Sequence, residues 1–147
     1  MEREWRRVGS YVLCWDDEQR ILLTRFRWPG HPDDRKWTAP GGAMEWGESA
    51  EATVVRELFK ETGLAADIGP LLGFYSNWYS AEESVSGTPG QHVGAVYRGH
   101  AAPGELRTHF DDGTTDRAAW FTLEEAWDLP LVPLGRYLLA LAEQTRS

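Results

Sequence analysis

The sequence predicts an α/β fold, and three observations carry that expectation. Segments 8–15, 21–26 and 91–101 are rich in strand-forming residues and are bounded by polar or turn-forming stretches. Segment 49–62 instead repeats its apolar residues at helical spacing, and a second helix is expected over 134–145. With 147 residues, 41% hydrophobic and 26% charged, the chain has the size and composition of one compact domain spanning residues 1–147.

In chain order, residues 8–15 and 21–26 form a strand pair joined by the turn Asp16-Asp17-Glu18-Gln19-Arg20, which contains no strand former. Cys14 lies among Tyr11, Val12, Leu13 and Trp15 and reads as a buried strand thiol. As the only cysteine, it allows neither an intrachain disulfide nor a thiolate metal cluster. Residues 27–35 form a loop leading to a strand at Trp37. Segment 65–79 is extended apart from an interruption at Gly69-Pro70, and 81–90 reads as a rim or lid. Residues 103–115 form a second polar loop, and Thr122 is placed to cap a helix.

The helix over 49–62 has Ser49 as its cap and Gly63 as its left-handed stop, with Leu64 folding back onto the last turn. Its apolar stripe reads as Ala52, Val55, Leu58, Phe59 and Thr62, with Glu57 and Glu61 together on the opposite face. Like charges four residues apart near the negative end of a helix cost about 0.2–0.5 kcal/mol, a penalty that a bound cation reverses. Two carboxylates with no histidine or cysteine beside them suit a hard ion such as Mg2+ or Mn2+. A solvated surface face is the plain alternative.

The flanking residues add to this. Gly42, five residues, Glu48, seven residues, then Arg56-Glu57-Leu58-Phe59-Lys60-Glu61-Thr62-Gly63-Leu64 resembles the Nudix box, G-x5-E-x7-R-E-U-x-E-E-x-G-U with U apolar. Eight of its nine specified positions match, a far more specific agreement than a lone glycine motif. Residues 37–45 resemble the strand and turn that lead into that box. Outside 37–64 the resemblance is diffuse, extending over about residues 8–143.

The resemblance implies an α/β/α sandwich with a mixed β-sheet, and Mg2+- or Mn2+-dependent hydrolysis of a nucleoside diphosphate linked to another moiety. It implies Glu57, Glu61 and the backbone carbonyl of Gly41 as metal ligands. Arg56 would hold the catalytic glutamates, Glu48 would support the site from the helix start, and Glu57 would be the essential ligand and proton acceptor. The chemistry needs the metal because an anionic pyrophosphate is attacked by an anionic nucleophile.

Lys60 is the departure, a cation where the family pattern has a glutamate. It could pair with Glu57, three residues away, and compete with a metal ion. Three outcomes stay open: fewer metal ions, with Glu82, Glu83, Asp111 or Asp112 completing the site; an ammonium that contacts substrate phosphate; or a domain that binds nucleotide without turnover. A lysine in a last helical turn also simply complements the macrodipole. A third class, a purely structural helix, would gain no heat protection from metal or nucleotide.

The formal net charge of −8 argues against a nucleic-acid polymer or an anionic membrane as partner. A small anionic substrate arriving with its metal is compatible with it. The first ten residues contain no apolar signal core and no run of 18 apolar residues occurs, so a cytoplasmic location is expected. Of eight tryptophans, most belong to packing, while Trp28, Trp46 and Trp78 lie in or beside loops near the box and are candidates to contact the substrate. The four histidines have no metal-ligand spacing and none is given a catalytic role. Oxidised nucleoside triphosphates, nucleotide sugars, ADP-ribose and dinucleoside polyphosphates all remain open as substrates, with capped RNA disfavoured by charge. The sequence leaves monomer and homodimer equally open.

Overall fold

The computed structural model describes residues 3–102, 104–110 and 113–146. Among the described residues, seven strands form one sheet: β1 (Trp5–Trp15), β2 (Ile21–Phe26), β3 (Trp37–Thr38), β4 (Gly41–Ala43), β5 (Asp67–Tyr79), β6 (Gly90–His100) and β7 (Thr115–Phe121). The helices are α1 (Ala50–Thr62), α2 (Leu123–Trp127) and α3 (Pro133–Thr145). The main strand order is β3-β2-β1-β6-β5, with β7 on β2 and β4 on β1. β1 and β6 run parallel over eleven residue pairs while the other pairings are antiparallel, which makes the sheet mixed.

Side-chain alternation in the central strands divides the core between two faces. Val12, Cys14 and Leu22 pack with Val54 and Leu58 of α1. Tyr11, Leu13, Trp15, Ile21 and Leu23 pack with Leu134, Leu138, Leu139 and Ala142 of α3. Because both faces are covered, β1 and β2 read as continuous apolar runs rather than as alternating ones. The result is the expected α/β/α sandwich. Among the described residues, no helix is long and apolar enough to cross a membrane.

β1 begins at Trp5 rather than at residue 8, because pairing with β6 extends order into a polar segment that has no strand pattern of its own. The interruption at Gly69-Pro70 is a register irregularity within β5. Thr122 does cap α2: its hydroxyl accepts from the Glu125 N–H at 3.2 Å while Glu125 accepts from the Thr122 N–H at 2.8 Å.

Helix α1 starts where Ser49 Oγ accepts from the Ala52 N–H at 3.1 Å, and it stops at Gly63 with φ at 79°. Its expected apolar stripe is displaced. Val55 and Phe59 are 53% and 57% exposed and Ala52 is exposed, whereas Thr53, Val54, Leu58 and Thr62 are buried. At about 100° per residue, Glu57 and Glu61 fall between Thr53 and Val54, inside the buried arc and not opposite it. The helix turns its carboxylates toward the sheet and leaves two large apolar side chains outside.

Candidate active site

β4 determines how closely α1 can approach β1. Gly41 has φ at 137°, and a Cβ there would collide with the Ser10 carbonyl. A Cβ on Gly42 would lie 2.8 Å from Glu57 Cδ. The two glycines therefore let the strand pass directly beneath the helix carboxylates. Buried Ser10 closes the arrangement by donating from Oγ to the Ala50 carbonyl at 2.7 Å.

Glu61 accepts from the Gly41 N–H at 2.9 Å with one carboxylate oxygen and from the Thr115 hydroxyl at 3.2 Å with the other. Burial, reinforced by the Glu57 charge, pushes its pKa up to about 8 despite those two donors. Glu57 is fixed from its other side, because Arg56 Nη1 donates to its Oε1 at 2.7 Å. Arg56 also donates to both oxygens of Glu48, at 2.8 and 2.9 Å, and to the Ala43 carbonyl at 3.2 Å. Glu48 is held in turn by the Thr53 hydroxyl at 2.6 Å and the Glu45 N–H at 3.1 Å. Hydrogen bonds from Arg56, then from Thr53 and Glu45, hold the Glu48 carboxyl down at about 2, so it remains an anion.

Glu57, Glu61, Gly41 and Lys60 line one end of a cavity of about 910 Å3. Lys60 is exposed there and makes no ion pair among the described residues; the partner of Glu57 is Arg56. The anticipated Lys60–Glu57 pair is thus absent among those residues, because Arg56 already occupies that carboxylate. Arg107 lines the same end. Its backbone N–H donates to the Thr62 carbonyl at 2.8 Å and its Nη2 to the Phe59 carbonyl at 3.1 Å, and its guanidinium lies 5.6 Å over the exposed Phe59 ring. Phe59 is left outside the core and serves as the platform for this cation.

Of the tryptophans considered, Trp28 lines the cavity and stacks on His31 at 4.2 Å. Trp46 is fully exposed and Trp78 is 62% exposed, and neither lines it. Glu83 stands at the rim, its carboxylate accepting from the Ser80 N–H at 3.0 Å; Glu82 borders only a shallower neighbouring groove. Asp111 and Asp112 lie outside the described residues. Segment 81–90 does form part of the cavity rim.

Sequence reasoning missed the aromatic part of the cavity, lined by Trp5, Arg7, Tyr11, Tyr75, Tyr79 and His92. Tyr11 Oη and His92 Nε2 are 2.7 Å apart, and burial, aided by the Arg7 charge, lowers the histidine pKa to about 4. His92 is therefore neutral near pH 7. The available signal was aromatic residues alternating with glycines in the predicted strands, but it needs the β1–β6 register to be interpreted.

Among the described residues there is no cluster of three or more His, Cys, Asp or Glu side chains able to hold a metal. Two carboxylates beside the Gly41 backbone nevertheless fit Mg2+ or a similar hard ion, which commonly keeps waters and takes substrate phosphate oxygens as its remaining ligands. A carboxyl kept protonated by burial beside a second carboxylate is also a position that gains from a cation.

A family model described as the NUDIX domain matches residues 5–142. The chain is 33% identical over 79 residues to diphosphoinositol polyphosphate phosphohydrolase 2 of Homo sapiens, covering 52% of this chain and 41% of that protein. It is 39% identical over 62 residues to an ADP-ribose pyrophosphatase of Methanocaldococcus jannaschii, covering 42% and 36% respectively. The matched part thus spans about two fifths of the length of these curated relatives. Among solved structures, a MutT NUDIX hydrolase from Burkholderia pseudomallei superposes with a TM-score of 0.74 at 29% identity, covering 92% of this chain and 97% of that one.

Proposed function

The chain belongs to the Nudix family, and on that premise we propose that it is a metal-dependent pyrophosphohydrolase cleaving a nucleoside diphosphate linked to another moiety. The observation that carries this reading is the convergence of Glu57 and Glu61 with Gly41 at one end of a cavity large enough for such a substrate. The relatives' names agree on the bond class and differ on the substrate, one being a phosphohydrolase of diphosphoinositol polyphosphates and the other a pyrophosphatase of ADP-ribose.

Glu57, Glu61 and the Gly41 carbonyl would hold Mg2+ or Mn2+. Such an ion, when bound, offsets repulsion between anions, polarises phosphoryl oxygens and acidifies water. Glu57 is the proton acceptor in this scheme, and Arg56 keeps its carboxylate aimed into the cavity. Glu48 acts through Arg56 as a positioning residue. Lys60 and Arg107 line the same end and serve as cations for substrate phosphates. Trp28 replaces Trp46 and Trp78 as the loop tryptophan placed to meet the substrate. The alternative of a nucleotide-binding domain without turnover rests on Lys60 standing in place of a glutamate of the family pattern, and the relatives' names, a phosphohydrolase and a pyrophosphatase, lend it no support.

The test is product release from a panel of ADP-ribose, nucleotide sugars, oxidised nucleoside triphosphates and dinucleoside polyphosphates with Mg2+ or Mn2+. Wild type, Glu57→Gln and Lys60→Glu are compared at equal concentration. Metal-dependent cleavage lost in Glu57→Gln is the expected result. Activity absent from wild type and gained in Lys60→Glu would overturn it.

A further inference from the structure

The part of the cavity lined by Trp5, Arg7 and Tyr79 is built on a hollowed sheet face. Across β1, β6 and β5, Trp5 aligns with Gly90 and Tyr79, Arg7 with His92 and Asn77, and Gly9 with Gly94 and Tyr75. A Cβ on Gly90 would collide with the Trp5 indole, and one on Gly94 would come within 2.6 Å of the Tyr11 ring. A Cβ on Gly9 would meet the same ring at 2.7 Å. Three absent side chains thus let two aromatic rings fold over the sheet instead of standing away from it.

Both rings are fixed in place. Trp5 stacks on Tyr79 at 5.9 Å with planes 25° apart, and its Nε1 donates to Ser84 Oγ at 2.9 Å and to the Thr88 carbonyl at 3.2 Å. Tyr11 is tied to His92, whose ring meets Tyr75 edge-on at 5.3 Å. An aromatic surface held this way favours a planar ring lying against it.

Arg7 stands beside that surface. Arg7 lines the cavity, and among the described residues no hydrogen bond or ion pair engages its guanidinium. Two acidic side chains that line the cavity are engaged elsewhere: Asp33 faces Lys36 at 3.4 Å, and Glu83 caps the Ser80 turn. A guanidinium fork left unpaired next to an aromatic floor is suited to two acceptors on one edge of a ring.

We propose that Arg7 is a specificity-determining residue that selects guanine through its O6/N7 edge, so that the substrate is a guanosine diphosphate linked to another group. This rests on the reading of the cavity as a nucleoside diphosphate site. Guanine presents O6 and N7 as adjacent acceptors, whereas adenine sets a donor beside N7 and cytosine offers a donor in place of O6. Oxidation at C8 places a hydrogen on N7 and removes one of the two acceptors, so the intact base is preferred over the oxidised one.

The test is calorimetric binding of GMP, 8-oxo-GMP, AMP and UMP to the metal-free protein, wild type against Arg7→Gln and Arg7→Lys, with thermal melts confirming that the variants fold. GMP is expected to bind at least tenfold more tightly than the other three. Arg7→Gln brings all four within about threefold, and Arg7→Lys, which lacks the fork, retains only part of the preference. Equal binding, no binding of any nucleotide, or a GMP preference that survives in Arg7→Gln would overturn the proposal. Glu57-dependent cleavage is measured separately with metal, so the hydrolase reading can stand where the guanine assignment fails.

Discussion

Arg56 grips Glu48 with two nitrogens, at 2.8 and 2.9 Å, and this pairing sets the direction of the third nitrogen that reaches Glu57 at 2.7 Å. A planar fork can bridge two carboxylates in this way and an ammonium cannot. Arg56→Lys is therefore expected to lower kcat at least tenfold while leaving KM within about threefold, because the lost function is alignment and not substrate binding. A steady-state comparison on the substrate found by the panel checks this, and an unchanged kcat would refute the positioning role.

Gly42 sits where an added methyl group would lie 2.8 Å from Glu57 Cδ. Gly42→Ala should displace that carboxylate and reduce turnover by about tenfold or more, since small misplacements of reacting groups are costly. Gly41→Ala should do more damage to the fold, because the residue is at φ of 137° and its Cβ has no room, a strain of about 1–3 kcal/mol. Thermal melts beside activity assays separate the two, with Gly42→Ala losing mainly rate and Gly41→Ala losing stability as well.

The raised pKa of Glu61 makes the metal-free protein sensitive to pH in a definite direction. An unfolded glutamate ionises near 4.5 while the folded one holds its proton to about 8. Between those values the folded state binds the extra proton, so stability falls as pH rises through the window. With EDTA, the melting temperature of wild type should drop between pH 5 and pH 8 by more than that of Glu61→Gln. Millimolar Mg2+ should shrink the difference by taking the place of the proton, and metal affinity should increase with pH up to about 8. A wild-type curve parallel to that of Glu61→Gln would show that Glu61 is not the proton-holding group.

Replacing Glu57 or Glu61 by Gln keeps shape and removes charge. Each change should cut turnover at least about a hundredfold if the carboxylate holds the cation or takes the proton. The effects should not multiply in the double variant, since the two carboxylates serve one site. Near wild-type rates in both single variants would rule out the proposed catalytic arrangement.

The end of the cavity that carries Glu57 and Glu61 was legible because its parts are local in the chain: a cap at Ser49, a stop at Gly63 and two glutamates one turn apart survive any tertiary context. The facing of the helix was not. Apolar periodicity chose Val55 and Phe59 for the core, but β4 brings backbone glycines beneath Glu57 and Glu61, so the polar edge turns inward and Phe59 becomes a support for Arg107. Trp46 and Trp78 were chosen for proximity in sequence, which says little about a cavity whose aromatic lining is assembled from β1, β5 and β6. Trp5 and Arg7 lie in a polar opening segment that acquires strand structure only through β6, so no local pattern could identify them.

The parallel pairing of β1 with β6 joins residues 85 positions apart, from Trp5 with Gly90 to Trp15 with His100. Contacts of such long sequence separation form slowly, because the intervening chain must lose its freedom before any pairing is gained. During synthesis α1 and its two carboxylates emerge well before β6 exists, and until then Trp5 has no Gly90 to lie on. The order of assembly is thus constrained by the topology: α1 with Glu57 and Glu61 can take shape early, whereas the Trp5 chamber waits for β6 and the Thr115 partner of Glu61 waits for β7. Pulse-labelled hydrogen exchange during refolding should show α1 amides protected before those of β6, and simultaneous protection would argue that the two parts form as one unit.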